Sequence, residues 1–264
     1  MPSRFILWVV LLLISTLVYS EWLPPKEPDL QVILTEASED KSNKQYQLSL
    51  EKYIWFHNNA LKIDRSFYGV RLSFALMGWV ELANVYEPAK LSLLEHADQA
   101  ERSVKNSSSC CRDEFNDFAS INDVLGLSGR TVELFKWLEA NDPLKAEQAF
   151  SLARAALVKS NEYLLMGKYI KPRADFEKSV AMYRNTIEVA KTMPQEASML
   201  EETAQYSYIN QTTTLVAILA INGRTDEALK VANESKQVFS SDAFNVELEK
   251  ALSGKVPQPW PSLN

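Results

Sequence analysis

From residue 45 onward, apolar side chains recur at intervals of three and four, the spacing of helices that bury one face. Tyr46, Leu48, Leu50, Tyr53, Ile54 and Phe56 form a first broad stripe. Leu72, Leu76, Trp79, Val80 and Ala83 repeat it over residues 65–83. Pro88 opens a third stretch with Leu91, Leu94, Ala97 and Val104. Proline suits a first helical turn, where its missing N–H would have been unpaired. After the polar patch Asn106, Ser107, Ser108 and Ser109, helices are expected over 113–125 and 130–141. The pattern is helical throughout, and the fold class it predicts is all-α.

The second half carries an internal repeat. Asp142 and Pro143 start a helix whose next breaker is Pro172; Pro194 starts another whose next breaker is Gly223. Both spans are 29 residues, and the two starts lie 51 apart. At that offset Ala146, Ala153, Leu164, Ile170, Arg173 and Asp175 match Ala197, Ala204, Leu215, Ile221, Arg224 and Asp226. Two copies of a hairpin, a long helix then a shorter one, are the expected unit.

Those residues resemble the tetratricopeptide repeat family. One match runs Tyr163, Leu164, Leu165, Met166, Gly167, Lys168, Tyr169 and Ile170, then Asp175, Phe176, Ser179, Tyr183, Thr186 and Ile187. A second has Leu215, Val216, Leu219, Gly223, Ala228, Leu229, Ala232 and Ser235, and a fainter third has Met77, Val80, Tyr86, Ala89 and Leu93. Val216 stands where the family has glycine, and the spacing exceeds the family's roughly 34 residues. The resemblance implies antiparallel helical hairpins stacked as an α-α superhelix, with a concave groove that takes a protein or peptide ligand. Its groove-facing positions fall on Asn161, Leu164, Lys168 and Lys171 in one hairpin, and on Asn210, Thr213, Ala217 and Ala220 in the next. The residues alone also fit an unrelated helical bundle. Thr212, Thr213 and Thr214 are poor helix formers in a long helix, so close packing or hydrogen bonding is expected of their hydroxyls.

The N-terminus adds a compartment. Arg4 precedes an apolar run from Phe5 to Tyr19, and Val18, Tyr19 and Ser20 offer a cleavage site before Glu21. As a helix, residues 5–20 reach roughly 24 Å, short of a roughly 30 Å hydrocarbon core. A cleaved signal peptide is the first reading; an uncleaved signal anchor, the chain's only expected membrane contact, is the second. Either places the body outside the cytoplasm. Residues 21–44, with three prolines and a charged stretch, read as an extended linker. Residues 255–264 read as a Pro-rich tail, either extended or with Trp260 docked back on the last hairpin. Between them lie a helical N-terminal half, 45–141, and the repeat-like hairpins, 142–254.

Composition narrows the function classes. Seven glycines in 264 residues suit long helices joined by few tight turns. A net charge of -6 leaves no electrostatic footprint for nucleic acid. The two histidines, His57 and His96, lack metal-ligand spacing, and Cys110 and Cys111 are adjacent. No nucleophile elbow or phosphate-binding glycine loop occurs, so no catalytic site, metal or cofactor is expected. The expected function is an exported interaction scaffold or adaptor of the cell envelope, most readily bacterial periplasm. The alternatives are a membrane-anchored accessory subunit and a helical enzyme acting on envelope polymers.

Overall fold

Side-chain caps at Asp29, Asp142 and Ser241, and positive-φ glycines at 126, 223 and 254, mark some of the helix boundaries of this chain. The computed structural model describes residues 22–107 and 111–258, and among these residues there are helices and turns but no strand. The fold is all-α. Residues 1–20, Cys110 and Trp260, each singled out in the sequence, lie outside the described residues. No helix among the described residues is long and apolar enough to cross a membrane. The chain forms two compact units that divide between Lys90 and Leu91.

In the first unit, α1 (Leu30–Ser42) starts where the Asp29 carboxylate accepts hydrogen bonds from the N–H groups of Gln31 and Val32. It buries Leu30, Ile33 and Ala37, one helical face, against α2 (Tyr46–Ile63). The sequence expectation of an extended linker over 21–44 is corrected here. Three apolar residues at helical spacing gain enough burial to order a segment that its charges alone would leave solvated. Ahead of α1, Trp22 donates its N–H to Glu51 at 2.8 Å and stacks edge-on against Trp55 at 5.8 Å.

The stretch 65–83, expected as one helix, is broken into a 3-10 turn (Arg65–Phe67), α3 (Tyr68–Leu72) and α4 (Phe74–Ala83). At the break, the Ser73 hydroxyl donates to the Gly69 carbonyl, a local bond that competes with the helical ladder. The bend lets α4 bury Leu76, Trp79 and Leu82.

The boundary between the units falls within α5 (Glu87–Asn106). In the second unit, α6 (Arg112–Val124) and α7 (Ser128–Asn141) are joined through Gly126, whose φ of 70° needs no Cβ. Next, α8 (Pro143–Lys159) is capped by Asp142, with Pro143 in its first turn. Then follow α9 (Tyr163–Gly167), α10 (Pro172–Thr192), α11 (Ala197–Ile221), α12 (Thr225–Val238) and α13 (Asp242–Leu252). The helix α11 is central: it packs on α10, α12, α13 and α9, and is buried on all sides from Thr212 to Leu219. Phe135, Phe150 and Tyr169 form one aromatic cluster of this core, and Tyr183, Tyr208, Phe239 and Phe244 another.

The two 29-residue spans differ in structure. The second is dominated by one 25-residue helix, whereas the first breaks at Asn161, which adopts φ 58°. The offset of 51 therefore pairs Leu164, 68% exposed, with Leu215, 2% exposed. The match survives where both copies bury alanine, at Ala153 and Ala204.

Candidate functional site

A helix turn spaces side chains at i, i+3, i+4 and i+7 onto one face, and three such faces in the second unit surround a cleft of about 360 Å³. The α8 wall is Ser151, Arg154, Ala155 and Val158; α10 supplies Asp175, Lys178, Ser179 and Met182; α11 supplies Asn210, Gln211, Thr214 and Leu215. The cleft exists because α8 packs on α6 and α7, while α10 pairs with α11. The turn at Asn161 and the short α9 separate the two pairs.

Charge inside the cleft is organised. The Asp175 carboxylate accepts from Arg154 at 3.2 Å and, through its other oxygen, from the Lys171 backbone N–H at 3.0 Å. It thus anchors the start of α10 and neutralises Arg154 together. The Arg154 guanidinium also lies 6.0 Å from the Phe150 ring centroid. Lys178 is exposed and makes no ion pair among the described residues. Two cations face one carboxylate that is already engaged, so the cleft carries a surplus positive charge beside apolar Val158, Met182 and Leu215. Gln211 donates to Ser207 at 2.8 Å and approaches the Met182 sulfur at 3.4 Å, which holds the α10–α11 wall together.

Of the positions assigned to a groove from sequence, only Asn210 lines this cleft. Its side-chain amide donates to the Gln258 carbonyl at 2.6 Å. Asn161 is a turn residue whose side-chain oxygen accepts from the Tyr163 hydroxyl. Leu164 is exposed on α9, away from the cleft lining. Lys168 pairs with Glu139 and Lys171 with Glu147, and these hydrogen bonds raise both lysine pKa values. Their charges are therefore met within the chain, by Glu139 and Glu147. Thr213 is a correction. It is 1% exposed and its hydroxyl donates to the Ile209 carbonyl at 2.6 Å, so it packs inside α11 and faces no groove. Ala217 is buried as well.

Sequence reasoning missed Arg154, Lys178 and Met182. Their helical spacing was readable on each element, but the convergence of those faces depends on how far the break at Asn161 displaces α8 from α10. The histidines lie elsewhere. His57 is buried with its ring 5.8 Å from Trp79 and its Nε2 3.0 Å from the Arg71 guanidinium, and His96 Nδ1 lies 2.8 Å from the Ser92 carbonyl. No three His, Cys, Asp or Glu side chains converge as a metal site among the described residues. No family model, curated protein or solved structure matches the chain.

Proposed function

We propose that this protein is an exported interaction scaffold that binds a protein segment in the cleft between α8, α10 and α11. The observation that carries the reading is the cleft's chemistry: an unpaired lysine beside methionine, leucine and valine, with amide and hydroxyl groups at the rim. That combination suits a peptide or helix with a carboxylate next to apolar side chains. The apolar contacts supply affinity, while Lys178 and Arg154 set orientation and association rate. Methionine adapts its shape to partners of different outline. The carboxylate in the cleft, Asp175, is engaged by Arg154 and a backbone N–H, which favours binding over catalysis. In this reading the helices form tetratricopeptide-like hairpins, and residues 1–20 direct the body to the cell envelope.

The experiment is photo-cross-linking in living cells from a benzophenone residue placed at Met182, compared with one at Leu144, an exposed residue outside the cleft lining. A partner captured from Met182 and lost with Lys178→Glu supports the reading. Identical adducts from both positions would remove it. Fractionation with N-terminal sequencing tests the compartment: a cytosolic protein retaining Met1 is incompatible with export.

A further inference from the structure

The first unit holds a cleft of its own, of about 550 Å³, lined only by residues of that unit. Helices α1 and α4 both pack on α2, and each turns one face toward the gap between them. On α4 that face is Phe74, Met77, Gly78 and Glu81, at the spacing i, i+3, i+4 and i+7. From α1 come Leu34 and, at the exposed rim, Thr35 and Ser38. Lys41 bonds to Glu81 and joins the two helices near their C-terminal ends. Phe74 and Met77 are 76% and 56% exposed, although the same helix buries Leu76, Trp79 and Leu82. Large apolar side chains that share a cleft and stay uncovered mark a place where something apolar binds.

Tyr53, from α2, adds a polar group to this lining. The residue is 3% exposed, and its hydroxyl makes no hydrogen bond among the described residues. Gly78 is what admits it, since a Cβ there would collide with the hydroxyl oxygen. Burial, with Glu81 nearby, pushes the phenol up to about 12, so at neutral pH it keeps its proton and offers a donor. An occupant that expels water from the cleft must supply an acceptor or leave that hydroxyl unpaired. Charge narrows the occupant further. Apart from the phenol, Glu81 is the one ionisable group of the lining, and Lys41 meets its charge. An ion would lose its hydration against Leu34, Phe74 and Met77 and find no free counter-charge in return. An uncharged acceptor flanked by apolar surface fits both conditions.

We propose that this cleft is a small-molecule site for an uncharged acyl ester or amide, with the Tyr53 hydroxyl donating to its carbonyl and the acyl chain lying along Leu34, Phe74 and Met77. Its volume falls within the roughly 300–1,000 Å³ of ordinary ligand pockets. The site belongs to the first unit alone, so it neither needs nor supports a partner in the cleft between α8, α10 and α11.

The test uses the full chain and a neutral fluorescent ketone, 6-propionyl-2-(dimethylamino)naphthalene. Its emission moves to the blue in apolar surroundings and back to the red when its carbonyl accepts a hydrogen bond. The wild-type protein should bind it saturably, and methyl octanoate should displace it, with octanoate roughly tenfold weaker as a competitor. Met77→Asp, at an exposed position, should weaken binding severalfold with an unchanged melting temperature. Tyr53→Phe loses no bond within the chain, so it should melt as wild type does. It should nevertheless weaken binding severalfold and shift the bound emission further to the blue, which a merely structural phenol would not do. Bound emission that is the same in wild type and Tyr53→Phe overturns the inference. So does binding indifferent to Met77→Asp, the absence of saturable binding, or octanoate competing as well as its methyl ester. If the ketone binds as described but the cross-links from Met182 capture no partner, the scaffold reading fails and this one stands.

Discussion

Gly167 and Asn222 interlock two helix ends: a Cβ on Gly167 would collide with the amide group of Asn222, whose Nδ2 donates to the carbonyls of both Tyr163 and Ile218. The amide thus closes α11 on itself and ties it to α9, and glycine is the residue that lets it lie there. The contact explains why α9, only five residues long, holds a fixed place.

Gly167→Ala should destabilise the second unit by roughly 1–3 kcal/mol, the usual cost of forcing an added group into a filled site. Asn222→Ala relieves the clash, so the double variant should lose less than the two single losses combined. Urea midpoints of the four proteins measure this coupling. Simple additivity would mean that the amide swings aside without cost.

Arg224 performs a related task, donating to the carbonyls of Gly167 and Ile170 at 3.2 Å each while pairing with Glu227. Its removal leaves the Gly167 and Ile170 carbonyls short of a donor, so Arg224→Ala should cost roughly 1–3 kcal/mol. Faster amide exchange over 163–170 than over 243–252 should accompany it. Uniform acceleration across the unit would point to a general rather than a local effect.

Stability should fall at alkaline pH in both units. Burial pushes the phenols of Tyr53 and Tyr208 up to about 12. Below about pH 10 folded and unfolded chains are both protonated; above it the unfolded tyrosine ionises first, so stability drains away as pH rises toward 12. The rise from 10 to about 12 corresponds to roughly 3 kcal/mol per tyrosine. Lys52 acts in the same direction: burial pulls its pKa down, but the hydrogen bonds it donates to Asp40 and Glu36 outweigh that and raise it above its ordinary value. Tyr53→Phe should flatten the pH dependence of the first unit and Tyr208→Phe that of the second, compared by urea midpoints at pH 8 and 11. Profiles as steep as wild type would exclude these phenols as the cause.

Reversing charge separates the cleft from the neighbouring lysines. Lys178→Glu breaks no ion pair and should leave stability within about 0.5 kcal/mol of wild type, yet slow association with the cross-linked partner, most at low salt. Lys168→Glu and Lys171→Glu each set like charges against Glu139 and Glu147, and should lower the melting temperature slightly without changing association. Association rates at two salt concentrations decide it: slowing by the 168 and 171 variants alone would move the binding face to α9.

The sequence by itself determined the helices that carry strong local signals. Asp142 with Pro143 mark a start, Pro172 and Gly223 mark breaks, and the structure places helix boundaries at each, whereas the start read at Pro194 falls three residues later, at Ala197. These are interactions of a residue with its own backbone, within one turn, and they need no knowledge of the rest of the chain. The threonine run was legible in part: all three residues are buried in α11, and the Thr213 hydroxyl bonds back to the Ile209 carbonyl. Tertiary structure alone decided what those helices do together. Leu164 and Leu215 occupy equivalent places in the sequence repeat, but the Asn161 turn exposes one and the core of α11 buries the other. Lys168 and Lys171 read as a basic pair because Glu139 and Glu147 are 29 and 24 residues away, and only folding brings the carboxylates to them. Lys178 was passed over because nothing near it in the sequence distinguishes it; it stands out only when Arg154, from another helix, arrives beside it with its charge already met by Asp175. Helix formation is a local free-energy balance, whereas a cleft is a difference in how far separate faces approach, and that distance is set by packing across the whole unit.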